Sequence, residues 1–296
     1  MRQEAWPAAY NAAMAALARS VQGGFPATPP KVSLMMLRRL LALLLTLLPA
    51  LAQAATLTLL APEKLTFGSA ISFAPFEYEE DGKYTGFDID FLAAIAEKMH
   101  LGTVPMNMTF AGLIPALQSG RIDLINSSMY ITAARTELVL FLPYMKVGNQ
   151  IIVKKGNPLG INGLIDLCGH RVGVTLGAIQ DQQAHAANDQ CKAAGKPEIT
   201  ILPFPTAQDA TLSVRQGRAD AYFDSVAGAA LITRKFPDIY QVIPGMFGQT
   251  QIGFALRKDD TALHDAMEAA LKEVVAEGTY ARLMEKYNLP IEVSLF

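Results

Sequence analysis

The chain is predicted to fold as an α/β protein, because short apolar runs of strand length alternate with segments whose apolar residues recur at helical spacing. Two local features support that class. Small polar or glycine-bearing turns, Asn126-Ser-Ser and Thr175-Leu-Gly-Ala, follow two of the runs. Strands separated by helices also favour parallel sheets, whose ligands lie at the carboxyl ends of the strands. No internal repeat or low-complexity linker interrupts residues 55–296.

The elements follow in order. A strand is predicted over 65–68 and a helix over 88–99, where Phe91, Leu92, Ile95 and Met99 share one face. Gly86 marks the turn before that helix, and Asp88 and Asp90 stand in its first turn, where carboxylates complement the dipole. A strand over 106–110, a helix over 112–118 and a strand over 122–127 come next. The segment from Asp123 to Arg135 then runs from an apolar strand into small polar residues and an arginine. It reads as a pocket for a carboxylate, since an arginine fork holds both oxygens while serine hydroxyls and free amides at a helix start donate further. The plainer alternative is a surface arginine beside a serine turn. Helices over 133–139, 179–193, 207–216, 225–235 and 260–287 alternate with strands over 150–154, 171–175, 199–204, 220–223 and 251–256. Gly278 is expected to split the last helix.

The first part of the chain does not read as part of this fold. Arg38-Arg39, an apolar run from Leu40 to Leu51 and Ala52-Gln53-Ala54 form a secretory signal peptide over 34–54, cut after Ala54. Twelve apolar residues fall short of the roughly 20 that span a bilayer. Residues 1–33 are read as an extension from a start assigned too early, and they hold Trp6, the single tryptophan. Their loss together with the leader removes five basic residues and one acidic residue, leaving 20 and 26, a net charge of −6 against −2 for the whole chain. With no basic stripe, nucleic acid is excluded as a partner.

Cys168 and Cys191 are the only cysteines, and export to an oxidising compartment predicts a disulfide between them, with two buried thiols or a metal pair as the alternatives. No CxxC, HExxH or GxSxG is present, and His100, His170, His185 and His264 form no triad pattern. Neither a metal nor a cofactor is expected.

Gly86-Phe-Asp-Ile-Asp-Phe-Leu-Ala-Ala-Ile-Ala-Glu-Lys-Met99 resembles the signature of the family 3 periplasmic solute-binding proteins, the polar amino acid receptors of ABC importers. Gly68-Ser-Ala-Ile-Ser-Phe-Ala-Pro-Phe-Glu77, Phe110-Ala-Gly-Leu-Ile-Pro-Ala-Leu117, Ser127-Ser-Met-Tyr-Ile-Thr-Ala-Ala-Arg135, Arg171-Val-Gly-Val-Thr-Leu-Gly177, Gly217-Arg-Ala-Asp-Ala-Tyr-Phe-Asp224 and Gly278-Thr-Tyr-Ala-Arg-Leu-Met-Glu-Lys-Tyr287 are similar to further family blocks in the same order. The resemblance implies a two-lobed periplasmic-binding-protein type II fold, with a ligand cleft between lobes joined by two crossover strands near 146–150 and 248–251. Lobe one would comprise 56–147 and 250–296, and lobe two 148–249. It further implies a monomeric periplasmic protein that presents an amino acid to a membrane permease. The rival is a cyclohexadienyl dehydratase-like enzyme on the same fold, needing a carboxylic acid such as Asp224 or Glu77 to protonate a leaving hydroxyl.

By the same resemblance, Arg135 would grip the ligand α-carboxylate with Ser127 and Ser128 beside it, and Phe73 and Phe110 would sandwich the aliphatic part. Core packing is the alternative for the two aromatics. Ala178 and Gln180 stand on the second-lobe helix start, where the usual Ser or Thr hydroxyl is missing. Asp224 is the candidate for the ligand ammonium, with Ser225 as the alternative at the register position. Tyr130 replaces a small Ser or Thr, and Ala70 replaces the Asp common in receptors for basic amino acids. Glu77 is treated as a loop acid that does not by itself restore a basic ligand.

Overall fold

The computed structural model describes residues 57–296, so the leader and the upstream extension expected over 1–54 lie outside the described residues. The chain runs β1 (Lys64–Ser69), a hairpin of β2 (Tyr78–Glu80) and β3 (Lys83–Thr85), α1 (Phe87–Lys98), β4 (Gly102–Asn107), α2 (Leu113–Gln118), β5 (Leu124–Tyr130), α3 (Ala133–Thr136) and the long β6 (Val139–Lys154). It continues through β7 (Arg171–Thr175), α4 (Ile179–Ala193), β8 (Thr200–Phe204), α5 (Ala207–Arg215), β9 (Ala221–Ser225), α6 (Val226–Lys235) and β10 (Tyr240–Val242). Then β11 (Phe247–Arg257), α7 (Thr261–Ala276) and α8 (Thr279–Lys286) follow.

Nine strands form one sheet in the order β4-β1-β5-β11-β6-β9-β7-β8, with β10 paired to β6. At one end β1 runs parallel to β4 and β5; at the other, β7 runs parallel to β8 and β9. The antiparallel pair β6 and β11 joins the two parallel triplets, and β6 passes from β11 to β9 at Asn149. This is the two-lobed α/β fold expected above, with two long strands shared between the lobes.

Each triplet has its own core. Leu65, Phe67, Phe91, Ile95, Leu124 and Phe254 belong to the first; Val153, Val172, Val174, Ala221 and Phe223 belong to the second. Phe91 on the buried face of α1 packs its ring 5.6 Å from Tyr144, 5.7 Å from Phe254 and 5.2 Å from Tyr280, tying α1 to β6, β11 and α8. Burying such a ring stabilises the fold by roughly 2–3 kcal/mol. Gly278, at φ +79°, takes the left-handed turn that separates α7 from α8, as expected.

Several boundaries differ from expectation for physical reasons. The strand expected over 106–110 is β4 over Gly102–Asn107; it pairs only with β1, and an edge strand tolerates Pro105. The strand expected over 150–154 is the tail of the 16-residue β6, whose pattern Pro143 and Gly148 interrupt in sequence. Opposite Pro143, the register with β11 shifts between Ile252 and Gly253. The helix expected over 133–139 stops at Thr136, since Val139 already belongs to β6. Ser225 caps α6 instead of entering it, its hydroxyl accepting from the Gly228 amide at 3.0 Å. The hairpin of β2 and β3 and the short β10 carry too little apolar periodicity to be read.

Candidate ligand-binding cleft

The end of β5 builds one wall. All seven β5 residues are buried, so its polar residues must be satisfied internally. Ser127 accepts from the Ala70 amide at 3.0 Å and donates to Glu77 Oε1 at 2.9 Å. Ser128 adopts φ +41°, a left-handed conformation uncommon for a residue with a Cβ. Asp88 holds it there, accepting from the Ser128 amide at 2.7 Å and its hydroxyl at 3.0 Å, while Tyr144 donates to the same carboxylate oxygen at 2.8 Å. Asp88 is therefore the post that fixes this wall and not merely a complement to the dipole of α1. Asp90, two residues on, faces outward to Lys286 and Tyr287, each at 2.6 Å.

Glu77 reaches the same wall from the loop after β1. It is 1% exposed, and burial, followed by the Asp88 charge, holds its carboxyl well above the usual range. Burial raises Asp88 to about 6, less far because Tyr144 and Ser128 donate to it.

Thr132 caps α3 and places Arg135 at the cleft. The guanidinium donates to Tyr130 O at 2.8 Å and, across the cleft, to Gly177 O at 3.1 Å; it lies 5.3 Å over the Phe110 ring. Burial lowers its pKa to about 10, which leaves it charged at neutral pH. Gly177, at φ +74°, forms the turn between β7 and α4, and a Cβ there would meet Ala111 at 3.2 Å. The start of α4 has no side-chain cap. From its first turn, Gln180 donates to Asn149 Oδ1 at 2.7 Å, and Tyr130 donates to the same oxygen at 3.1 Å. Asn149 thus links both walls at the point where β6 changes partner.

Phe73, Phe110, Ser127, Ser128, Tyr130, Ala178 and Gln180, all singled out in sequence, line one cavity of about 30 Å³. Glu77 lines it too, as do Ala70, Ser72 and Thr175. Arg135 stands behind Phe110 and Tyr130, outside that lining. Asp224 lies instead in an adjoining groove of about 410 Å³, which shares Ser72, Phe73 and Ala207 with the inner cavity. Its Oδ1 accepts from the Ser225 amide at 2.6 Å, and burial pushes its carboxyl to about 7. Sequence reasoning gave Glu77 no ligand contact and missed Asn149. An acid closing the apolar run Phe73-Ala-Pro-Phe76 was the available signal for the first. Cys168 and Cys191 form the expected disulfide, with Cα atoms 5.6 Å apart, anchoring α4.

A family model of bacterial extracellular solute-binding proteins, family 3, matches residues 65–290, and the chain belongs to that family. The ABC transporter arginine-binding protein 1 of Escherichia coli is 30% identical over 244 residues, covering 77% of this chain and 91% of that protein. An ancestral arginine-binding protein bound to arginine superposes with a TM-score of 0.71 at 35% identity, covering 76% of this chain and 98% of the other. An ancestral amino acid-binding protein described as a precursor of cyclohexadienyl dehydratase gives 0.69 at 34% identity, covering 76% and 95%.

Proposed function

We propose that this protein is an extracytoplasmic receptor that binds an amino acid or close analogue between its two lobes and delivers it to the permease of an ABC importer. The observation that carries this reading is the single cavity shared by Phe73, Phe110, Ser127, Ser128 and Gln180, drawn from both ends of the sheet, with a buried arginine against it. In this reading the ligand carboxylate takes the remaining donors of Arg135 and those at the start of α4, the aromatic pair covers the aliphatic part, and Asp224 receives the ammonium. Lobe one comprises 56–147 and 250–296, lobe two 148–249, and the lobes close by bending where β6 and β11 cross. The leader over 34–54 directs the chain to the periplasm, where it works as a monomer without catalysis.

Ala70 weighs against a basic ligand, but a buried Glu77 on the cavity wall weighs for one, in keeping with the arginine-binding relatives. A ligand ending in a cation or a strong donor therefore suits the site best. Calorimetric titration with arginine, histidine, glutamine and neutral aliphatic amino acids tests this, and failure of every amino acid to bind would refute it.

One observation favours a second reading. Glu77 is a buried acid whose carboxyl burial holds well above the usual range, the direction a general acid requires. In a dehydratase it would protonate the leaving hydroxyl of prephenate. Release of phenylpyruvate from prephenate decides between the two readings.

A further inference from the structure

The two carboxyl groups behind the cavity are the least ordinary polar feature of the molecule. Glu77 and Asp88 are both essentially inaccessible, and the Ser128 hydroxyl lies between them, 3.0 Å from Asp88 Oδ2 and 3.4 Å from Glu77 Oε2. Two buried carboxylates gathered at one hydroxyl with no cation beside them are costly as a pair of charges, so one of them carries a proton. Asp88 Oδ1 is buried without any hydrogen-bond partner, a free acceptor beside the pair. The remaining groups facing the pair are Ser127 and Ser128 from β5, Asn126, whose side chain donates to Asp88 O at 2.8 Å, and Tyr144 from β6, whose carbonyl receives the Tyr280 hydroxyl from α8. None is a cation, and among the described residues neither carboxyl has an ion pair. Arg135 directs its bonded donors to Tyr130 and Gly177 instead.

We propose that Glu77 and Asp88 hold one proton between them at the cavity wall, and that a cationic group of the ligand reaching Glu77 expels it, so that capture of the cation releases a proton. The inference rests on the receptor reading above and adds how its cation site is regulated. The exchange balances: the Glu77 O–H bond breaks, its proton passes to water, and the ligand N–H donates in its place. The buried pair goes from net −1 to −2 as one positive charge arrives, so the occupied site again carries −1. Desolvating a second negative charge without that cation would be far more costly. Burial raises both groups and the Asp88 charge raises Glu77 further, which favours the singly protonated pair before the cation arrives.

The test is titration calorimetry of the wild-type protein with arginine at pH 7 in buffers of differing ionisation enthalpy, with glutamine as the uncharged control. The expected result is release of about one proton per arginine and none with glutamine, with arginine affinity rising up to about tenfold per pH unit while the pair stays protonated. Glu77→Gln should abolish the release and weaken arginine by at least about tenfold. Arginine binding without proton release would overturn the exchange and leave the receptor reading standing. Binding of neutral amino acids with none of arginine would overturn the cation site, and silence toward all amino acids would overturn both readings. The wild-type pH profile decides the matter even where the variant fails to fold.

Discussion

Replacing Arg135 by alanine removes the one buried cation of the cleft among the described residues. Two hydrogen bonds go with it, at 2.8 Å to Tyr130 O and 3.1 Å to Gly177 O, and the second spans the cleft. Bonds from a charged donor contribute about 1.5–3 kcal/mol each, so a loss of roughly 2–4 kcal/mol of stability is expected after water reaches part of the site. Binding should suffer separately. A ligand carboxylate left buried without its guanidinium costs about 2–5 kcal/mol, or a weakening of roughly 30-fold to several thousand-fold. Arg135→Lys keeps the charge but loses the fork, so it should fall between wild type and alanine. Calorimetric titration with the best wild-type ligand, at a temperature where circular dichroism shows each variant folded, measures both losses. A folded Arg135→Ala protein with an unchanged dissociation constant would refute the carboxylate role.

Three further outcomes are expected. Removing the disulfide with Cys168→Ser and Cys191→Ser reopens a loop of separation 23 and should cost about 3 kcal/mol, lowering Tm by roughly 6–12 °C; a Tm within about one degree of wild type would contradict this. Tyr130→Phe removes only the bond to Asn149 and should cost about 1 kcal/mol, whereas Tyr130→Ser opens the inner cavity and should widen the set of ligands that raise Tm. An unaltered ligand panel for the serine variant would show that the ring does not restrict the site. Asp224, whose folded pKa is raised to about 7, favours folding fully below the unfolded value near 4 and loses that contribution as pH rises through 7. Asp224→Asn should therefore have a higher Tm than wild type at pH 8, with the gap closing toward pH 4, and a gap that widens in acid would contradict the assignment.

Periodicity exposed α1, α4 and most strands because their apolar faces alternate cleanly with solvent-facing residues. The full length of β6 stayed hidden, since Pro143 and Gly148 break a pattern that only pairing with β11 restores. The two cysteines were legible because compartment chemistry, independent of geometry, joins them. Arg135 stood out as a cation after small polar residues, but not its reach to Gly177, 42 residues on. Glu77 was passed over for a similar reason. Its burial depends on Ser127 and Ser128, some 50 residues away, and on Asp88 in another element. Asn149 carried no local signal at all; its importance comes from receiving Tyr130 and Gln180 where β6 changes partner.

The most direct measurement is thermal unfolding of the purified protein against amino acids, opines, polyamines and prephenate. Calorimetry or a dye is needed, because the single tryptophan, Trp6, lies upstream of the segment read as a leader. A ligand at 100 times its dissociation constant adds about 2.7 kcal/mol, a shift of several degrees. The receptor account predicts stabilisation by a group of α-amino acids, arginine or histidine among them. Silence toward every amino acid, with a response to prephenate and release of phenylpyruvate, would contradict it.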